Sequence, residues 1–204
     1  MLETPTRLCP LEGGANLPSK GFSAFYAQWN ADRGSQDMPD TSRLVPTALP
    51  PHLLPSTAII GVDHEPDRLV VRLAGSRVLD ATGVELTNWE IGSLSALPRH
   101  FRANEIGTSR FDKAVAKLNW VVERGQPACG GGSIPWARKA HMQQRTLMLP
   151  YKDASGRVAR LLTLSDFMVT DPCDGCGRNC PEQKDTRFAT RALRTAATAL
   201  SLPV

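Results

Sequence analysis

Two stretches of strand-type sequence, each doubled back by a short polar turn, stand on either side of one long amphipathic helix, and this order leaves few folds open. In the first stretch, 57–62 and 68–74 flank a linker of Asp63, His64, Glu65, Pro66 and Asp67. Leu69, Val71 and Leu73 alternate there with Val70, Arg72 and Ala74, the period of two expected of a strand buried more on one face than on the other. In the second stretch, 146–150 and 157–165 flank Lys152, Asp153, Ala154, Ser155 and Gly156, a turn whose glycine can take the positive φ that a tight hairpin needs. Between the two, 109–124 reads as a helix. Ser109 can cap it, Phe111, Val115, Leu118 and Val122 form its apolar stripe, and Gly125 followed by Pro127 stops it. The pattern predicts antiparallel hairpins together with helix, an α+β content.

The rest of the chain is read from its punctuation. Residues 1–20, broken by Pro and Gly, predict an irregular arm. A helix is expected over 22–31, because Phe22, Phe25, Tyr26 and Trp29 fall at i, i+3, i+4 and i+7 on one face, and Arg33-Gly34 ends it. Pro39, Pro46, Pro50, Pro51 and Pro55 forbid a regular helix across 38–56 while allowing short turns such as 45–49. Single helical turns are predicted at 77–81, ended by Gly83, and at 88–97, ended by Pro98. The run 129–133 reads as a glycine-rich loop and the polar stretch to Arg145 as irregular. A last helix is expected over 182–200, with Phe188, Ala192, Ala196 and Leu200 on one face. The chain thus divides into an arm at 1–56, a domain at 57–167 and a tail at 168–204.

Composition excludes some functions. No apolar stretch approaches the roughly 18 residues of a spanning helix, and no charged start followed by an apolar run opens the chain as a secretory signal would. A cytoplasmic protein with reduced thiols is expected. With 24 Lys and Arg against 20 Asp and Glu, and only two Tyr, the sequence lacks the basic, aromatic-studded surface of a nucleic-acid binder. Gly130-Gly131-Gly132 lacks the Lys-Ser/Thr that completes a phosphate-binding loop, and no Ser/His/Asp set or carboxylate pair stands out, so no enzyme activity is expected.

Several short motifs recur in a fixed order: Phe25-Tyr26-Ala27-Gln28-Trp29, Arg33-Gly34, Met38-Pro39, Leu53-Leu54-Pro55, Val70-Val71-Arg72-Leu73-Ala74-Gly75-Ser76, Gly83-Val84-Glu85-Leu86-Thr87, and Leu149-Pro150 before the turn at 153–156. Across residues 22–167 this order resembles a bacterial single-PAS-domain family common in alphaproteobacteria. The resemblance implies a five-stranded antiparallel sheet with helices on one face, joined here by an N-terminal and a C-terminal helix. It also implies sensing or protein interaction rather than catalysis: a stand-alone regulatory module acting through a signalling partner protein, with a homodimer formed through the flanking helices. The pocket between sheet and long helix would be lined by Val115, Asn119, Val122 and Met148, with Asn119 either a polar anchor or simply a solvated helix residue. The Asn-Cys-Arg-Phe-Leu motif of flavin photosensors is absent, and 109–124 holds no His for haem, leaving a small metabolite of unknown identity or a pocket that serves only packing.

Outside that pattern lies the spacing C-x2-C-x3-C of Cys173, Cys176 and Cys180. Two sulfurs two residues apart can share a tetrahedral Zn, and Gly175 and Gly177 ease the turn. A fourth ligand could be Cys9, Cys129, His64 or His141 brought in by folding, an Asp such as Asp174, or water. The loop is a structural zinc knuckle, an iron–sulfur or redox site, or three reduced thiols, and a zinc-stapled or redox-responsive regulator is the alternative to the sensor. Arg187, Arg191 and Arg194 make a basic stripe that could dock an acidic partner or nucleic acid, but Glu182 and Asp185 dilute it and favour a solvated face.

Overall fold

Both hairpins form, and the backbone groups left open at their ends recruit more strand than the alternation alone marks. The computed structural model describes residues 8–11, 17–65, 67–83, 85–91, 105–134 and 139–169. Its strands are β1 (Leu8–Pro10), β2 (Thr57–His64), β3 (Asp67–Ala74), β4 (Glu90–Ile91), β5 (Ala128–Ile134), β6 (Lys139–Lys152) and β7 (Val158–Val169). They make one sheet in the order β1-β5-β6-β7-β2-β3-β4, every neighbouring pair antiparallel. The five long strands match the five-stranded sheet that the family resemblance implies, and β1 and β4 add a short strand at each edge.

Three helices accompany the sheet: α1 (Lys20–Arg33), α2 (Ser76–Thr82) and α3 (Glu105–Arg124). The first is capped by Ser19, whose side chain accepts from the Phe22 N–H at 3.3 Å. All three stop at the glycines expected, Gly34, Gly83 and Gly125, each with positive φ. Three short 3-10 turns, Thr41–Arg43, Pro46–Ala48 and Leu54–Ser56, carry the Pro-rich segment. No helix among the described residues is long and apolar enough to cross a membrane.

Five local expectations are corrected. Ser109 does not cap α3, which begins four residues earlier at Glu105. The helical turn expected from residue 88 is instead edge pairing: Glu90 and Ile91 face Val70 and Leu69, and Val71 exchanges bonds with Trp89 and Asn88. The open edge of β3 offers a row of unmet donors and acceptors, which outweighs weak helical propensity. Residues 92–97 of that expected turn lie outside the described residues, as does the helix expected over 182–200. The glycine run 129–133 is strand, not loop, and Leu8–Pro10 of the supposed irregular arm pairs with it. Most of the polar stretch before Arg145 is the first half of β6.

Directly opposed residues of an antiparallel pair point to the same side of the sheet, so the register sorts the core into two layers. On one side Ile59, Leu147, Leu149, Tyr151, Leu162 and Leu164 receive Phe22, Phe25 and Trp29 of α1. On the other, Ile60, Val62, Leu69, Met148 and Leu161 receive Trp120 and Val121 of α3, and Val71 and Phe167 meet Val78 of α2 with Leu86 and Trp89. Helices expected on one face therefore hold for α2 and α3, while α1 covers the other. Its aromatic residues Phe22, Phe25 and Trp29 are buried against the sheet.

Trp29 fixes α1 in place. Its ring is 2% exposed, and its indole N–H donates to the Pro150 carbonyl at 2.8 Å. The ring is stacked by Tyr26, with centroids 6.0 Å apart, and Arg33 lies 5.5 Å from its centroid. On the far edge, Gly75 of the Leu-Ala-Gly-Ser motif sits where a Cβ would collide with the carbonyl oxygens of Leu54 and Pro55. Its N–H donates to the Thr57 carbonyl at 2.8 Å.

Two substitutions test this packing by urea unfolding. Trp29→Phe keeps an aromatic ring, though a smaller one, and strands the Pro150 carbonyl, so about 1–3 kcal/mol of stability should be lost. Gly75→Ala should cost about 3 kcal/mol or more, since backbone atoms cannot yield as a flexible side chain does.

Candidate functional site

Among the described residues, the core on the α3 side of the sheet is mostly apolar, and polar side chains gather in it on β6 and β7. Cross-strand register sets Thr146 opposite Ser165, Gln144 opposite Phe167 and Met148 opposite Thr163. Thr163 is satisfied locally, its hydroxyl donating to the Ala58 carbonyl at 3.1 Å. The other three polar side chains bond one another. Gln144 Nε2 donates to Thr146 Oγ1 at 2.9 Å and to Ser165 Oγ at 3.1 Å, and the two hydroxyls lie 3.1 Å apart. Ser165 is buried, and Gln144 and Thr146 are partly so. Apolar groups flank the trio on both sides, Met148 and Leu161 towards α3 and Phe167, Val71 and Trp89 towards α2.

The valence of this trio is not used up. The amide NH2 spends both hydrogens on the two oxygens, and between the hydroxyls only one hydrogen is shared. One hydroxyl hydrogen and the Gln144 carbonyl oxygen, in the amide orientation present here, have no partner among the described residues. A further donor lies in the neighbouring cluster: Trp120 is 6% exposed, and its buried indole N–H meets no acceptor among the described residues. Polar hydrogens of that kind are ordinarily satisfied in a buried setting, by protein, water or ligand.

The strand β5 lets α3 approach closely. A Cβ at Gly130 would meet Leu8 Cδ1 at 3.2 Å, Lys117 Cδ at 3.3 Å and Met148 Cε at 3.4 Å. Lys117 in turn reaches over β5, its Nζ donating to the Gly131 carbonyl at 2.6 Å. The glycine run is thus the floor on which α3 rests.

Of the four side chains expected to line a pocket, Met148 is buried and Val122 packs at the margin of the same cluster. Val115 is half-buried and Asn119 exposed, so the solvated alternative describes Asn119. The buried centre of α3 is Trp120 and Val121, next to the expected stripe rather than on it, because the helix meets the sheet at a slightly different rotation. Gln144, Thr146 and Ser165 were missed. Their signal was the alternation Gln144, Thr146, Met148, which continues the strand pattern back into a stretch that polarity had marked as irregular.

Cys173, Cys176 and Cys180 lie outside the described residues, as do Arg187, Arg191 and Arg194. Among the described residues no group of three His, Cys, Asp or Glu gathers as a metal site. Of the fourth ligands considered, His64 has its Nε2 2.9 Å from the Val158 carbonyl. Cys9 and Cys129 sit directly opposite each other on β1 and β5. Burial, and then the proximity of Cys9, push the Cys129 thiol up to about 11. On the exposed end of the other face Asp63 pairs with Arg68 at 2.8 Å and Arg72 at 3.4 Å, and the Arg68 hydrogen bond holds its carboxyl below the usual range.

Comparison with known proteins gives one family. A family model for the PAS domain matches residues 18–165. No curated protein matches the chain. Among solved structures, the chain is similar to one described as "Structure of an RNA-binding Light-Oxygen-Voltage Receptor", with 11% identity and a TM-score of 0.34, over 79% of this chain and 39% of that one. The present chain therefore spans well under half of that protein.

The trio is testable as a unit. Thr146→Val and Ser165→Ala should each cost about 1–2 kcal/mol, and the double variant should cost less than their sum by about 0.5 kcal/mol or more, because each single change already removes the bond between the two hydroxyls. Urea unfolding of the four proteins measures it.

Proposed function

From the premise that the chain belongs to the PAS-domain family, we propose that it is a sensory, regulatory module that binds a small molecule on the α3 side of its sheet and passes the occupancy on to a partner protein. The observation that carries this reading is the polar trio Gln144, Thr146 and Ser165 set into a mostly apolar layer. An apolar site with a few convergent polar groups is the usual design of a small-molecule pocket.

The trio also states the chemistry of the ligand. It offers one acceptor, the Gln144 carbonyl oxygen, beside one hydroxyl donor, and the surrounding Met148, Leu161, Phe167 and Val71 offer apolar contact. A largely apolar molecule with a neighbouring donor and acceptor, such as a ring amide or a hydroxy-carbonyl edge, matches both. The role is binding rather than catalysis. The trio holds no group that is ionised near neutral pH, and the nearest polar neighbour, Thr163, is committed to the Ala58 carbonyl.

Native mass spectrometry of the purified chain should find a non-covalent adduct of small-molecule mass. Ser165→Val and Gln144→Leu should each reduce its occupancy by about tenfold, the effect of losing one or two hydrogen bonds. A spectrum free of adduct, or an adduct indifferent to both substitutions, would overturn the reading.

A further inference from the structure

The thiols of Cys9 and Cys129 come from segments far apart in the sequence, yet the sheet places them on directly opposed residues of neighbouring strands. The register β1 to β5 sets Leu8 against Gly130, Cys9 against Cys129 and Pro10 against Ala128. Opposed residues share a face, so both side chains lie on the α1 side, where Cys129 packs at the margin of the α1 core. Both are free thiols, Cys9 exposed and Cys129 partly buried. We propose that Cys9 and Cys129 are a reversible oxidation site, closed by peroxide into a cross-strand disulfide that fixes β1 to the sheet.

The geometry suits a bond that forms and is readily broken. The Leu11 N–H donates to the Pro127 carbonyl at 2.9 Å, which makes that opposed pair a hydrogen-bonded one; two positions along, Cys9 and Cys129 are the same kind. Such pairs hold their Cα atoms about 5.5 Å apart, within the span of a disulfide. Their Cβ atoms start nearer 5.5 Å than the roughly 3.8 Å of a relaxed bridge, so the strands must close on each other. A three-residue strand at the sheet edge can supply that movement. The strain it leaves makes the bond easier to reduce than a permanent staple.

Exposure assigns the order of events. Cys9 is the sulfur that a dissolved oxidant reaches. Its thiolate attacks one peroxide oxygen, the O–O bond breaks, hydroxide leaves and Cys9 becomes a sulfenic acid. Cys129, held as a thiol by burial, then gives up its proton, and its sulfur displaces hydroxide from the Cys9 sulfur. The sum is two thiols and one hydrogen peroxide giving one disulfide and two waters. A dithiol or glutathione reverses it by exchange.

The test uses the full, reduced chain exposed briefly to near-equimolar hydrogen peroxide, alkylated, and digested with trypsin without reductant. Cleavage yields peptide 8–20 with Cys9 and peptide 125–138 with Cys129. The expected product is these two peptides joined, two hydrogens lighter than their sum and separated by dithiothreitol. In Cys9→Ser, peptide 125–138 should be recovered alkylated under the same treatment. Amide exchange at Cys9 and Leu11 should slow by about tenfold in the oxidised chain, as expected when an edge strand is tied down. Recovery of both peptides alkylated, over-oxidation of Cys9 without linkage, or linkage of either cysteine to Cys173, Cys176 or Cys180 overturns the pairing. A correct linkage that leaves exchange at Cys9 and Leu11 unchanged overturns its effect on β1.

Discussion

β7 is the fourth of seven strands, and both of its faces are covered. Residues 161–165 are therefore all buried and must serve two cores at once: Leu162 and Leu164 under α1, Leu161, Thr163 and Ser165 under α3. With a side-chain period of two, a slip of one residue in its pairing would exchange the two sets. Leucines would replace the hydroxyls in one layer, and buried hydroxyls would face Phe22 and Trp29 in the other. The forty or so residues of α1 and the Pro-rich segment, and all of α3, depend on that register, because each docks on one set of β6 and β7 side chains.

This constraint links packing to the proposed sensing role. Trp29 ties α1 to the Pro150 carbonyl in β6, two residues from Met148 on the opposite layer. The polar trio spans β6 and β7. A ligand that draws on Gln144 or Ser165 would thus act on the two strands that also carry α1. Packed layers pass on such displacements because they have little free volume in which to absorb them. The cysteine pair adds a second input at the β1 edge, on the other face and independent of the ligand.

Much of the local structure was legible. The helix stops at Gly34, Gly83 and Gly125, the hairpin turn at Gly156 and the alternation in β3 all follow from backbone conformation and residue period, which a short window records. The helix over 22–31 followed from the same signals, whereas the five-strand count came from the family resemblance. The errors have a common cause. Glu90–Ile91, Leu8–Pro10 and the glycine run of β5 are strands because a partner edge is available, not because their residues favour extended backbone. Ser109 carries a capping side chain, yet α3 runs past it, since a cap residue only helps where the chain turns.

The sequence by itself determined where the chain turns, where its helices stop and which stretches carry one apolar face, since these depend on dihedral preferences and spacing within a few residues. Only the tertiary structure decided which face each stretch buries and what meets across the sheet: α1 on one side and α3 on the other, Gln144 beside Ser165, Cys9 opposite Cys129. Those contacts depend on the register of strands as much as a hundred residues apart. Register is set by the sum of both cores and leaves no mark on any single residue.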